Sequence, residues 1–575
     1  MFAADTGGEM MERPWVKSYP PGVSPDPDLE ISMVDEILTR AAQTWPETAA
    51  LDFMGRRISY AELDKLVDRA AKGFQALGVK PGVHVGLYLP NCPQFPIAYF
   101  GVLRAGGTIV AYSPLDAAQT LEHKLADSRT EILVTLDLAA LYPQVAAVVA
   151  RSAVRRVVLG DLAEFSAAPG PIRAQMVAGK QVADVAPDAR TLTFAELIDN
   201  DGAFVAPPAR DPKTAIAALQ YTGGTTGKPK GAMLTHANFT SSARMYEETR
   251  RSEPPLIAAG EVVSLVVLPL FHIYAMVVLM LFGFRLGATL VLHVRFDAEA
   301  ALKDIEAKQI NFFPGVPTMF VALLHHPGLR PESLRSLKLV SSGGAPLPME
   351  VASGFQKMSG AWIREGWGMT ETVSIGTFSP GHVTPRLGSC GVPAPGLDMR
   401  FLSVEDNKTY VPLGERGEIC LKGPNVTIGY WNNEAATREM FTPEGYMRTG
   451  DVGWMDKDGY VHIVDRTKDM ILCGGFNVYP RNIEEAIYQH PAVEAVSVIG
   501  IPDEYRGQSP KAFVKLKAGA TGPSLEEMKA FLKDKLGRHE MITEIDYRPD
   551  LPRTLVGKLS KRELYEEEAK KRGDA

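Results

Sequence analysis

The chain has 575 residues, 45% of them hydrophobic and 22% charged, enough for roughly three to five folding units and unlike a disordered or collagen-like chain. Its formal net charge of −7 argues against a dedicated nucleic-acid binder, which carries a basic footprint. Cys92, Cys390, Cys420 and Cys473 are scattered and form no CxxC pair, so neither a disulfide framework nor a zinc site is expected, and a reducing, cytoplasmic setting fits.

The N-terminal MFAADTGGEMMERPW lacks a basic start followed by an apolar core, so no secretory leader is expected. Residues 1–30, rich in Pro and Gly, read as a surface wrap. Val34–Trp45 reads as a helix, Ala50–Tyr60 as a hairpin turning at Gly55, and Ala61–Leu77 as a helix. Val83–Leu89, Thr108–Ser113 and Glu131–Leu136 read as strands, alternating with helices at Pro96–Arg104 and Leu121–Asp127. That alternation implies βαβ units and parallel sheets covered on both faces. The Ala/Pro-rich stretch 160–189 reads as a surface insertion, and 202–213 as a linker between two subdomains. A second α/β run extends from Ile216 to about Gly368. Within it, Val262–Phe284 has no formally charged residue and is long enough to span a bilayer. Pro269, His272 and the β-branched start favour a buried strand, turn and helix instead. From Gly388, short strands (Met399–Val404, Glu418–Lys422) suggest a small β subdomain. From about residue 469 the pattern becomes a compact α+β unit, bounded by the charged turn Asp465-Arg466-Thr467-Lys468.

The strongest chemical signal is Tyr221-Thr-Gly-Gly-Thr-Thr-Gly-Lys-Pro-Lys-Gly231, directly after the apolar Ile216–Leu219. Glycines let backbone N–H groups turn toward a polyphosphate, hydroxyls add donors, and lysines add charge. It is not a Walker A loop, because Pro229 follows Lys228 where Ser or Thr belongs. The string closely resembles the phosphate loop of the adenylate-forming superfamily of acyl-CoA synthetases, adenylation domains and luciferases. Further strings match in order: Leu270-Phe271-His272, Ser342-Gly343-Gly344-Ala345-Pro346, Glu365-Gly-Trp-Gly-Met-Thr-Glu371, Thr449-Gly450-Asp451, Asp465–Asp469, Gly474-Gly475-Phe476 and Pro552–Lys558. Within the superfamily, Lys468-Asp-Met-Ile-Leu and Gly475-Phe-Asn-Val-Tyr-Pro480 look most like bacterial long-chain fatty acid–CoA ligases.

The resemblance implies an α/β fold: a large N-terminal domain of two βα subdomains plus a small β subdomain (1–465), a hinge (466–468) and a mobile α+β C-terminal domain (469–575). It implies ATP-dependent formation of an acyl-AMP, then of an acyl-CoA, from a fatty acid; medium-to-long chains are expected because residues 262–294 can supply an extended apolar wall. Thr222, Gly223, Gly224, Thr225, Thr226, Gly227, Lys228 and Lys230 would hold the β- and γ-phosphates. Glu371 would help hold Mg²⁺, and Thr370 would meet the α-phosphate. Gly344, Ala345 and Pro346 would wall the adenine, Trp367 would stack on it, and Glu365 and Gly368 belong to the same nucleotide string. Tryptophan at 367 departs from the tyrosine common in relatives but keeps a π face. Asp451 would accept from both ribose hydroxyls, and Arg466 would reach ribose and phosphates. Lys558 would be the catalytic lysine that bridges carboxylate and α-phosphate, and Lys468 the hinge. Gly474, Gly475 and Phe476 would line the route of coenzyme A. His272 would sit beside the acyl carboxylate, with Tyr274, Met276 and Gly343 in the acyl pocket. Some long-chain relatives carry a gating tryptophan near Met276; none stands here, which leaves chain length open.

The rivals are a dicarboxylate or aryl acid–CoA ligase, a stand-alone enzyme loading a carrier protein, and a non-catalytic nucleotide-binding regulator. A buried cation at the end of the pocket would favour the diacid. No carrier domain is expected after Lys558, and Lys558, Glu371 and Asp451 together argue against the regulator. The remaining expectations are a homodimer, peripheral contact with the inner face of the cell membrane, and a lysine acetyltransferase acting on Lys558, whose ammonium charge acetylation would remove.

Overall fold

The computed structural model describes residues 13–186, 188–222, 228–251, 255–345, 347–473, 476–503, 505–553 and 559–572. Two seven-stranded sheets form its frame. One runs in the order Thr191–Thr193, Arg156–Gly160, Ile132–Leu136, His84–Leu87, Thr108–Ala111, Ile216–Thr222, Lys230–Thr235. The other runs Ile363–Glu365, Leu339–Ser342, Phe312–Gly315, Val263–Val266, Thr289–Leu292, Ala49–Phe53, Arg56–Ser59. Both are parallel except for one antiparallel edge strand each, Lys230–Thr235 and Arg56–Ser59. Strands such as Ile132–Leu136 and Thr289–Leu292 are buried throughout, as sheets covered on both faces require.

The sheets do not follow one another along the chain, as a linker at 202–213 would imply. The segment 202–213 has no regular structure, but it returns to the sheet it left: Ile216–Thr222 pairs with Thr108–Ala111. The hairpin Ala49–Ser59 belongs to the other sheet, pairing with Thr289–Leu292. Backbone hydrogen bonding at a sheet edge is indifferent to sequence distance, so early and late segments interleave. Stretch 160–189 is likewise more than an insertion. It carries the helix Pro169–Ala178 and serves as the crossover between the parallel strands Arg156–Gly160 and Thr191–Thr193.

Local chemistry explains the helices that hold the sheets together. Tyr60–Ala76 starts where the Ser59 hydroxyl accepts from the Glu62 amide, and it buries Leu63, Val67, Ala70 and Phe74 on one face. Gln94–Arg104 is buried at every position and sits in the core shared by both sheets. Val262–Phe284 is the expected buried strand, turn and helix, and no described helix is long and apolar enough to cross a membrane.

A four-stranded antiparallel sheet follows, Asp398–Leu402, Gly417–Lys422, Met447–Met455, Val461–Arg466. The last unit has a five-stranded mixed sheet around the long hairpin Val493–Asp503/Gly507–Leu516, with its own apolar core from Ile471 to Ile542. The fold class expected from the sequence is the one found.

Candidate active site

A cleft of about 2290 Å³ runs between the two large sheets, the four-stranded sheet and the C-terminal unit. Its polar side begins at the hairpin Ile216–Thr222/Lys230–Thr235, whose pairing places Thr222 opposite Lys230. Gly223, Gly224, Thr225, Thr226 and Gly227 lie outside the described residues. Thr222, Lys228 and Lys230 line the cleft, both lysines being exposed. Thr235 ends the second strand and caps the helix His236–Thr249 in a reciprocal box with Asn238.

That helix supports the nucleotide loop. The Ser242 hydroxyl donates to the Val373 carbonyl (2.6 Å), and the Tyr246 hydroxyl lies 3.0 Å from the Ser374 hydroxyl. Val373 and Ser374 sit at φ +46° and +79°, a left-handed bend just after Glu371. Gly368 faces it so closely that a Cβ would stand 2.0 Å from the Ser374 carbonyl oxygen; only glycine fits. Glu371 is buried and accepts from the Tyr430 hydroxyl (2.6 Å). Burial raises its carboxyl above the usual range, a penalty that a cation in the cleft would relieve. Thr370 lies beside it in the same short turn and also lines the cleft.

Tyr430 carried no sequence signal. It bridges to Ala232 on the phosphate hairpin, and its ring takes the Lys230 ammonium at 5.1 Å from the centroid. One tyrosine thus joins the loop cation to the buried carboxylate.

Trp367 donates its indole N–H to Asp451 Oδ2 (2.8 Å), while Arg466 Nε donates to Asp451 Oδ1 (2.9 Å). Each carboxylate oxygen keeps a second acceptor site for a ligand hydroxyl. The indole packs on Gly376, where a Cβ would lie 2.5 Å from the ring; that clearance accommodates tryptophan at this position. Gly344, at φ +79°, and Ala345 line the cleft; Pro346 lies outside the described residues. Glu365 accepts from the Leu347 amide at 3.2 Å, and burial pushes its carboxyl up to about 7.

The apolar side starts at His272, which caps the helix at Ile273 by accepting from the Tyr274 amide (3.3 Å). Gln220 on the phosphate strand holds the preceding turn through the Phe271 carbonyl (2.8 Å). Tyr274 packs on Gly343 and lies 3.1 Å from the Ser341 hydroxyl. Tyr274, Val278 and Phe282 line the cleft with Phe312 and Val316. Met276 is fully buried in the core and is not among the lining residues; two positions from Tyr274, it points to the other face.

At the C-terminal unit, Lys468 is exposed and lines the cleft; desolvation by the surrounding groups and the nearby Arg466 lower its ammonium pKa. The Asp465 carboxylate accepts from the Arg481 amide (2.9 Å), and the Arg481 guanidinium donates to the Ile463 carbonyl (2.9 Å), tying the unit to the strand before the turn. Lys558, Gly474 and Gly475 lie outside the described residues. Arg553 and Leu559, flanking the Lys558 segment, line the cleft. Phe476 is exposed, stacked on His539 at 4.8 Å, and is not among the lining residues. No group of three or more His, Cys, Asp or Glu side chains could hold a metal among the described residues. A single carboxylate, Glu371, still suits Mg²⁺, which takes most of its ligands from substrate phosphates and water.

Residues 38–431 match the family described as AMP-binding enzyme, and residues 482–558 match its C-terminal domain. The chain belongs to this family. It is therefore an ATP-binding, AMP-forming acyl-CoA synthetase, an acid–thiol ligase. A long-chain-fatty-acid–CoA ligase of Bacillus subtilis (strain 168) is 36% identical over 97% of this chain and 98% of its own. A feruloyl-CoA synthase of Streptomyces is 34% identical over 91% and 97%. Among solved structures, ATP-bound MatB from Rhodopseudomonas palustris superposes with a TM-score of 0.81 at 28% identity, covering 93% of this chain and 99% of that one.

Proposed function

We propose that the acid activated by this family member is a medium-to-long-chain fatty acid, converted to acyl-AMP and then, with coenzyme A, to acyl-CoA. The observation that carries the reading is the apolar wall Tyr274–Val278–Phe282 facing Phe312 and Val316, contiguous with the nucleotide side of the same cleft. The similarity to a fatty acid ligase over nearly the whole chain supports it, and the feruloyl-CoA synthase keeps an aryl acid as the rival.

In the first step a carboxylate oxygen attacks the α-phosphorus of ATP and pyrophosphate leaves. Two anions must meet, so fixed donors and cations set the barrier. The loop 222–230 would hold the leaving phosphates, with Lys230 steadied by the Tyr430 ring. Glu371 would hold Mg²⁺, whose charge neutralises phosphate oxygens when bound. Trp367 and Arg466 orient Asp451 for the ribose. Lys558 would draw carboxylate and α-phosphate together, and His272 would flank the carboxylate. In the second step the thiol sulfur attacks the acyl carbon, the thiol proton is lost and AMP leaves. We assign residues 466–468 as the hinge on which the unit 469–575 turns between the two steps, with Gly474, Gly475 and Phe476 facing coenzyme A only in the second arrangement.

The test separates the half-reactions. With ATP, Mg²⁺ and decanoate but no coenzyme A, pyrophosphate and enzyme-held decanoyl-AMP should form. Adding coenzyme A should release AMP and decanoyl-CoA. The reading fails if decanoate gives no pyrophosphate, or if the adenylate transfers only to a carrier-protein thiol.

A further inference from the structure

The helix His236–Thr249 ends at the apolar side of the cleft, and Arg250 closes it with its amide on the Glu247 and Glu248 carbonyls. Among the described residues, the neighbourhood holds the guanidinium groups of Arg40, Arg244, Arg250, Arg251 and Arg285 and the carboxylates of Glu30, Glu247 and Glu248. Glu248 takes Arg244 (3.0 Å) and Arg251 (3.5 Å). Glu247 takes Arg285 (2.5 Å), and Glu30 takes Arg285 (3.1 Å) and Arg244 (3.7 Å). Each of these three described acids is spent on another arginine, Glu30 on Arg40 (3.7 Å) as well. Arg250 has no carboxylate among the described residues, and its buried Nη1 has no hydrogen-bond partner there. It lies instead over two rings of the apolar wall, 5.6 Å from the Phe282 centroid and 5.8 Å from that of Phe312, and it lines the cleft with them.

Arg250 as a whole is half-buried, but a guanidinium whose Nη1 is shielded from water and unpaired is costly. Burial alone pulls Arg250 down to about 10, which still leaves it charged at neutral pH. Two aromatic faces offset part of that cost and leave the donor fork unfilled. A guanidinium fork is matched by one ligand chemistry above others, a carboxylate held by two parallel N–H···O bonds. Its place along the wall sets where that carboxylate must be. Tyr274, packed on Gly343 beside the nucleotide strings, and Phe282, under Arg250, lie eight residues apart along a helix whose Met276–Leu281 stretch is π-helical, a separation somewhat under the roughly 12 Å of an α-helical rise. A short diacid cannot cover that span; a medium-length chain can.

We propose that Arg250 is a specificity-determining residue that receives a second carboxylate at the far end of the acyl chain, so that the preferred acid is a medium-chain α,ω-dicarboxylate. The inference rests on the reading above in that this wall holds a medium-to-long acyl chain, and it names the α,ω-diacid in place of the plain fatty acid as the preferred form of that chain. The nucleotide chemistry is unchanged: one carboxylate is adenylated and the other stays ionised against Arg250.

The experiment compares kcat/KM for decanedioate and decanoate in the wild type and in Arg250→Met, Arg250→Gln and Arg250→Lys. The wild type should favour the diacid. Arg250→Met and Arg250→Gln should lower the diacid-to-monoacid ratio by about tenfold or more, because a polar site and its ligand reject partners that leave either unpaired. Arg250→Lys should recover part of the ratio. A merely structural arginine would change both acids together and leave the ratio alone. The inference is overturned, with the fatty acid reading intact, if the wild type uses decanoate at least as well as decanedioate or if the ratio is unmoved in the variants that fold. If neither acid reacts while an aryl acid does, both readings fall.

Discussion

The two sides of the cleft are built on different principles. The nucleotide side is polar, made of short contiguous strings, and its groups hold one another: Lys230 to Tyr430, Tyr430 to Glu371, Trp367 and Arg466 to Asp451. The acyl side is one helix face read every fourth residue, Tyr274, Val278, Phe282, set against Phe312 and Val316, with Arg250 at its end. The first arrangement fixes a reaction, because charge development at phosphorus is the same for every acid. The second fixes a substrate, because each ring changes only the shape and polarity that the chain meets. Variants should divide the same way: nucleotide-side changes should affect all acids alike, and acyl-side changes should depend on the acid.

The largest effect should come from Lys558→Ala. Acyl-AMP formation should fall by about 10²–10³-fold, the scale of one lost transition-state charge contact, for every acid tried. Thioester formation from synthetic acyl-AMP should survive; equal loss in both half-reactions would remove Lys558 from the first step. Next is Trp367→Ala. Losing a base-stacking surface of about 1–3 kcal/mol should raise the KM for ATP roughly 5–150-fold. It also removes the indole donor from Asp451. A rise confined to the KM for the acid would move Trp367 to the other side of the cleft.

Val278→Trp tests the acyl side. The indole should shorten the wall between Tyr274 and Phe282, lowering kcat/KM for long acids by about 10–200-fold relative to octanoate, while the KM for ATP holds. A uniform loss across chain lengths would contradict the assignment. The smallest effect is one of stability. The Glu365 carboxyl is raised from an ordinary 4.5 to about 7 by burial. Below about pH 4.5 both folded and unfolded chains carry the proton. As pH rises through 7 the unfolded chain ionises freely and the folded one resists, so stability is lost over that window. Glu365→Gln does not titrate, so its melting temperature relative to the wild type should rise between pH 5 and pH 8. A difference independent of pH would sink this point.

Legibility in the sequence follows the same division. Alternating strands and helices and the nucleotide strings were readable because each is local: Gly368 and Thr370 stand beside Glu371 in the chain as in space. Tyr430 was not, since it reaches Glu371 through a bridge to Ala232 that nothing nearby announces. The order of the large sheets was misread at 202–213, because an edge strand can be supplied from any distance along the chain. The resemblance places Met276 in the acyl pocket with Tyr274, whereas the helix turns it into the core and presents Val278. Arg250 was hidden for another reason. A charged residue among charged residues reads as a solvated helix end; it stands out only once Glu30, Glu247 and Glu248 are seen to be paired elsewhere.

The acyl specificity of the cleft is tested most directly by AMP and CoA-thioester formation by the wild type across one panel of acids: aliphatic monoacids from short to long, the matching α,ω-diacids, and aryl acids. ATP- and coenzyme A-dependent thioester formation is expected with aliphatic acids, kcat/KM climbing with chain length until the far end reaches Phe282 and Arg250, with aryl acids well below. Best turnover with an aryl acid, with no rise along the aliphatic series, would contradict that expectation.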